Sequence, residues 1–148
     1  MPSLLRDALA ILAGIAIASG VNMALITIGP SLIPAPMGVD VNNAASLSKA
    51  MHLFEPRHFV MPFLAHAVGT FAGALAAHLI AASYRARMAY VIGAVFLCGG
   101  VAASFMIPAP AWFIALDLLL AYLPMAWLAV YTGARMKTGD DDARKKEA

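Results

Sequence analysis

The sequence is poor in charged residues, and it contains a single cysteine. Charged residues make up 12% of the 148-residue chain, about half of the roughly 25% that is typical of soluble domains. Because Cys98 stands alone, a disulfide within the chain is excluded. The sequence also lacks a Gly-rich phosphate loop and the Gly-x-Ser-x-Gly, His-Glu-x-x-His and Cys-x-x-Cys motifs. No basic, aromatic-rich stretch indicates nucleic-acid binding.

What the sequence does contain is four long apolar runs. Hydrophobic residues make up 62% of the chain, and the mean hydropathy is +0.81. Each run has about the 20 residues that a helix needs to cross roughly 30 Å of hydrocarbon. The sequence therefore predicts an all-α membrane protein, a four-transmembrane-helix bundle formed by residues 1–138. The predicted spans are 8–29, 59–83, 88–107 and 111–133, and Pro30, Pro56, Pro108 and Pro110 stand at or just outside their ends.

The distribution of Lys and Arg predicts the orientation of the spans. Basic residues concentrate on the side of the chain termini, and this bias predicts that both termini are cytoplasmic. Residues 139–148 mix both signs of charge and are predicted to form a disordered cytoplasmic tail. The terminal side carries Arg6, Arg85, Arg87, Arg135, Lys137, Arg144, Lys145 and Lys146, whereas the other side carries only Lys49 and Arg57.

The long outer loop, residues 30–58, contains a segment with helical periodicity. Within 43–55, Leu47, Met51 and Phe54 follow one another at i, i+4 and i+7, which places them on one face of a helix. We therefore expect a short amphipathic helix on the outer side. It either lies flat at the membrane surface or covers the end of the bundle.

Polar residues interrupt the apolar runs at a shared depth. Asn22, His66 and Asp117 each lie about seven residues inside the outer end of a run, which corresponds to about 10 Å of helix. Polar groups in hydrocarbon are costly, and their default interpretation is a functional site that faces the bundle interior. We therefore predict a ligand-binding pocket, with a packing network as the alternative. Its candidate residues are Asn22, His66, Thr70, Ser104 and Asp117.

Small residues and one proline predict how the spans pack. Stripes of small residues let helices in lipid approach closely, and each stripe here becomes polar toward the outer end. Pro124 lies in the middle of the fourth span and is expected to bend it. The stripes are Ala10, Gly14, Ala18 and Asn22; then Gly69 and Gly73 with His66; and Gly93, Gly100 and Ser104.

A metal site is the alternative to a purely organic ligand. The stretch 52–58, HLFEPRH, places His52, Glu55 and His58 just above His66. Imidazole and carboxylate groups are ligands for Zn, Fe or Mn. The spacing matches no known ligand signature, and no other cofactor is predicted. No residue is assigned a catalytic role.

Two stretches resemble a group of small four-helix bacterial inner-membrane proteins of unknown activity. They are FEPRHFVMPFLAHAVGTFAGALAAHLIAA (54–82) and PAPAWFIALDLLLAYLPMAWL (108–128). The resemblance implies a multi-pass protein of the bacterial inner membrane with this topology. It implies no activity, substrate or cofactor.

Three functions are compatible with the sequence. The first is binding or transport of a small, lipophilic molecule through an outward-facing polar pocket. The second is a metal-dependent intramembrane enzyme, and the third is a structural or accessory subunit of a membrane complex. Besides the lipid bilayer, a second copy or a larger membrane complex is the expected partner, because four spans enclose a narrow interior.

Overall fold

The computed structural model describes residues 2–147, without the side chains of Ala44 and of residues 137–147. The described chain is all-helical, with 82% helix and no strand. Four of its helical segments are long and apolar enough to cross a membrane. The helices are α1 (Ser3–Leu32), α2 (Ala44–Ala50), α3 (Val60–Ile80), α4 (Arg85–Met106), α5 (Ala111–Leu120) and α6 (Leu123–Glu147).

The short helix α2 lies within the predicted segment 43–55. Asn43 caps it, because its side-chain oxygen accepts the backbone N–H groups of Ala45 and Ser46. A 3₁₀ turn over Met51–Leu53 follows α2, and a second 3₁₀ turn over Pro56–Phe59 leads into α3. We call the end of the bundle that carries these segments the loop end, and the opposite end the terminal end.

Helix α3 is central, and it packs against α1, α4 and α6. Its contact with α1 depends on glycine. A methyl group on Gly14 would lie 2.9 Å from the Gly73 carbonyl oxygen and 2.9 Å from Cδ1 of Ile92, and one on Gly69 would lie 2.9 Å from the Ala18 carbonyl oxygen. These distances are shorter than ordinary Cβ contacts, so the two backbones touch as the small-residue stripes predict.

The terminal half of the bundle is closed by small, fully buried side chains. A methyl group on Gly93 would come within 2.8 Å of the Ala126 Cβ, so α4 and α6 are also in close contact. The side chains that close this half of the bundle are Ala18, Ala74, Ala77, Ala89, Ile92, Ala126 and Ala129.

The start of α1 ties down the turn between α3 and α4. Asp7 Oδ1 accepts the backbone N–H groups of Ala82 at 2.7 Å and Ser83 at 3.0 Å. Arg6 Nε donates to the Ile80 carbonyl at 2.7 Å, which is one of the free carbonyls at the end of α3. The two charged residues therefore fix the angle at which α4 leaves α3.

The fourth apolar segment is interrupted rather than merely bent. Helix α5 ends at Leu120 and α6 begins at Leu123, while Ala121 and Tyr122 between them are buried. Pro124 has no N–H to donate to the Leu120 carbonyl, which explains the break at this point. The helix α6 then continues to Glu147, through most of the predicted tail 139–148. Ala148 is outside the described residues, and the disorder of the tail stays a prediction.

Candidate functional site

His66 and Asp117 meet between α3 and α5. Nδ1 of His66 lies 2.9 Å from both Oδ1 and Oδ2 of Asp117. The Asp117 side chain is only 7% exposed, whereas the His66 side chain is 26% exposed. The two residues, which the sequence places at one depth, are therefore paired, and the imidazole is the accessible member of the pair.

Tyr122 is a third member of this group, which the sequence did not predict. Its hydroxyl donates to Asp117 Oδ2 at 2.9 Å, and its ring stacks on the His66 ring with a centroid distance of 5.8 Å. A buried tyrosine hydroxyl needs a partner, and Tyr122 is 1% exposed. The break before Pro124 turns this side chain toward Asp117. The only sequence feature that points to this role is a tyrosine within an apolar run, two residues before Pro124.

The hydrogen bonds of Asp117 determine which nitrogen of the His66 ring carries the proton. An ionised carboxylate only accepts hydrogen bonds, so the two donors to Asp117 are the Tyr122 hydroxyl and the Nδ1–H of His66. The proton position follows from this hydrogen-bonding pattern. In the neutral imidazole, Nε2 then carries a lone pair. The group therefore offers one fixed hydrogen-bond acceptor, Nε2, on the side of the ring away from Asp117.

A cavity of about 640 Å³ lies at the loop end, and both His66 and Asp117 line it. The predicted apolar face of the loop segment, Leu47, Met51 and Phe54, lines the same cavity. The loop segment thus covers the end of the bundle, one of its two expected positions. Ligand pockets in proteins typically measure about 300–1,000 Å³ and have mostly apolar walls with a few polar groups.

A smaller cleft of about 270 Å³ lies between α1 and α4. Asn22, Phe96, Gly99 and Tyr122 line it. Met23, His66 and Gly100 line both this cleft and the larger cavity, so the two spaces adjoin at His66. Ser19, Met23 and Gly99 of the cleft are exposed on the outside of the bundle.

Of the other predicted ligand-binding residues, one lines the cleft, one lines the large cavity and one lines neither. Asn22 lines the cleft but not the large cavity, and Ser104 lines the large cavity, where its hydroxyl donates to the Val101 carbonyl at 2.7 Å. Thr70 lines neither space. It is fully buried one turn from His66, and its hydroxyl has no partner among the described residues. Thr70 shares a face of α3 with His66 but lies about 6 Å nearer the terminal end, where the bundle is packed, and it therefore does not line the cavity.

The structure does not assemble the predicted metal ligands His52, Glu55, His58 and His66. In the described part of the chain, no three His, Cys, Asp or Glu side chains are grouped to hold a metal ion. His58 Nδ1 accepts the Glu55 backbone N–H at 2.9 Å, and Glu55 pairs with Arg57 at 3.0 Å. These side chains cap the turn that begins at Pro56, which explains their spacing without a metal.

The site thus combines mostly apolar walls with two oriented imidazoles, that of His66, held by Asp117, and that of His58, held by the Glu55 backbone N–H. Only His66 presents Nε2 as an acceptor, because Nδ1 of His58 already accepts a hydrogen bond. Such an arrangement can hold an apolar molecule and accept a hydrogen bond, or a proton, from one of its groups. Comparison of the chain with family models, with curated proteins and with solved structures finds no match.

Proposed function

We propose that this protein is a multi-pass protein of the bacterial inner membrane that binds a small, largely apolar molecule with one hydrogen-bond donor. The observation that carries this proposal is the His66 imidazole, held by Asp117 at the floor of a 640 Å³ cavity with apolar walls. A donor group of the ligand would bind Nε2, while Leu47, Met51 and Phe54 would surround its apolar part.

The charge distribution orients this cavity. Lys and Arg concentrate at the terminal end, which by the positive-inside rule faces the cytoplasm. The loop end, with the cavity and α2, then faces the periplasm or the cell exterior. His66 lies about 10 Å below residue 59, where the second predicted span begins, and therefore within the hydrocarbon.

This conformation supports binding of a ligand, whereas transport of the ligand would require a further conformation. The buried alanines and Ile92 fill the terminal half, so the cavity ends near His66 in this state. A transport cycle requires a second conformation in which that half opens. The break at Ala121 and Tyr122 is a suitable hinge, because bending there would move the Tyr122 donor away from Asp117.

Two matched probes test the binding proposal. The first, 4-butylphenol, carries a strong hydrogen-bond donor, and the second, butylbenzene, has the same alkyl group and ring without the hydroxyl. Binding is followed in lipid nanodiscs by the fluorescence of Trp112, whose ring lies 5.4 Å from that of the cavity residue Phe59. The variant Trp127→Phe removes the other tryptophan, and empty nanodiscs correct for partition into lipid.

We expect the phenol to bind about 3–10-fold more tightly than butylbenzene, which corresponds to one net hydrogen bond. In Asp117→Asn this preference should shrink, because the asparagine N–H can donate to Nδ1 and so move the imidazole proton to Nε2. Equal affinities for the two probes in the protein with its native Asp117 would contradict the proposed role of His66. Absence of saturable binding of either probe would contradict the cavity itself as a binding site.

A further inference from the structure

The cleft between α1 and α4 opens toward the side of the bundle and shares the side chain of His66 with the larger cavity. Helices α1 and α4 are in contact near Gly14 and Ile92, where a methyl group on Gly14 would lie 2.9 Å from Ile92 Cδ1. Toward the loop end the cleft opens between them, and it adjoins the cavity at His66. One continuous path therefore leads from the outside of the bundle to the imidazole.

The walls of this path suit a hydrocarbon chain. Phe96 and Met23 provide apolar surface, and the missing side chain of Gly99 leaves the passage open, since a Cβ there would meet no atom within 4 Å. Gly100 instead makes room for the Tyr122 ring. The polar side chains that line the cleft are Ser19, which is exposed, and Asn22, His66 and Tyr122.

The depth of the opening identifies what lies outside it. Gly99 is seven residues from the end of α4 at Met106 and fourteen from its start at Arg85. At 1.5 Å per residue, these separations correspond to about 10 Å and about 21 Å. In a membrane-spanning α4 the opening would therefore face lipid chains rather than headgroups or water.

From this geometry we infer that the ligand is a single-chain amphiphile taken from the bilayer, with its donor head at His66 and its alkyl chain in the cleft between α1 and α4. This inference rests on the proposed binding function and adds the ligand class and the route. It explains why the cavity adjoins an opening at the depth of the hydrocarbon. A ligand that came only through the loop end would not need the cleft.

The test uses two phenols that differ only in chain length. With its head at His66, 4-dodecylphenol is expected to place its chain in the cleft, whereas 4-butylphenol fits wholly in the large cavity. Both are titrated in phosphatidylcholine vesicles against the native chain, Gly99→Phe and Gly20→Phe. Both glycines are exposed, and a Cβ at either position would meet no atom within 4 Å. Only Gly99 lines the cleft, and Gly20→Phe is thus the matched control.

We expect Gly99→Phe to weaken 4-dodecylphenol binding at least about tenfold, because the new ring occupies the space of the chain. Binding of 4-butylphenol should stay within about twofold, and Gly20→Phe should change neither affinity. Unchanged 4-dodecylphenol binding in Gly99→Phe would overturn the inference, and so would an equal loss of both phenols. If the native chain binds neither phenol, the proposed function itself fails.

Discussion

Replacing Tyr122 by phenylalanine removes one oxygen from the His66–Asp117–Tyr122 group and leaves the packing unchanged. The ring is 1% exposed and stacks on His66, and phenylalanine retains that ring. What is lost is the hydroxyl that donates to Asp117 Oδ2 at 2.9 Å. Asp117 keeps the hydrogen bond from His66, so the substitution does not leave the carboxylate unpaired.

The expected cost follows from the type of hydrogen bond. A bond to a charged group contributes about 1.5–3 kcal/mol in soluble proteins. Hydrogen bonds between membrane helices average about 0.6 kcal/mol and reach about 1.7. For a buried donor to a carboxylate we expect a value near the upper membrane figure, a loss of about 1–1.5 kcal/mol in the free energy of unfolding.

Equilibrium unfolding in mixed detergent micelles measures this loss. Tyr90→Phe is the matched control, because Tyr90 is 38% exposed and the same oxygen is removed from the surface of the bundle. In an Asp117→Ala background, the hydroxyl of Tyr122 has lost its acceptor, so Tyr122→Phe should become neutral or stabilising. A Tyr122→Phe loss no larger than that of Tyr90→Phe, or the same loss in both backgrounds, would show that the Tyr122 hydroxyl does not stabilise the bundle through Asp117.

Three further predictions concern the proton on His66, the glycine contacts and the turn between α3 and α4. Asp117→Asn should move the His66 proton from Nδ1 to Nε2, because the asparagine N–H donates to Nδ1. ¹⁵N NMR of the imidazole identifies the protonated nitrogen, and an unchanged tautomer would contradict the prediction. Gly73→Ala should lower the free energy of unfolding by about 1–3 kcal/mol, because the added Cβ would collide with the Gly14 carbonyl oxygen. In the same unfolding assay Gly99→Ala should be neutral or slightly stabilising, because a Cβ at Gly99 meets no atom within 4 Å. Asp7→Asn should weaken the two hydrogen bonds to the turn and speed hydrogen exchange at the Ala82 and Ser83 amides; exchange as slow as in the native chain would show that Asp7 does not hold the turn.

The sequence predicts the helices well because hydrocarbon imposes strong rules on composition and length. The four long apolar segments and the glycine contact between the first two of them follow from residue types alone. Pro124 predicts a bend in the fourth segment, where the structure has a break between Leu120 and Leu123. The meeting of His66 and Asp117 was also predictable, since both lie at one depth and each needs a partner.

The remainder of the site depends on how closely the helices pack at each depth, which residue types do not determine. Thr70 lies on the same face of α3 as His66, but about 6 Å deeper it meets the packed interior, and Asn22 lines the cleft instead of the large cavity. Tyr122 joins Asp117 only because the interruption of the fourth segment changes its direction. His58 and Glu55 resemble metal ligands in the sequence, but their hydrogen bonds cap a turn.

The central claim is that His66 presents Nε2 as an acceptor to a ligand in the cavity. The ¹⁵N resonance of Nε2, recorded in nanodiscs during addition of 4-butylphenol and then of butylbenzene, measures this contact. We predict a saturable shift of Nε2 with the phenol and none with the hydrocarbon. A resonance that stays fixed with both compounds, while Trp112 fluorescence reports that they are bound, would contradict the claim.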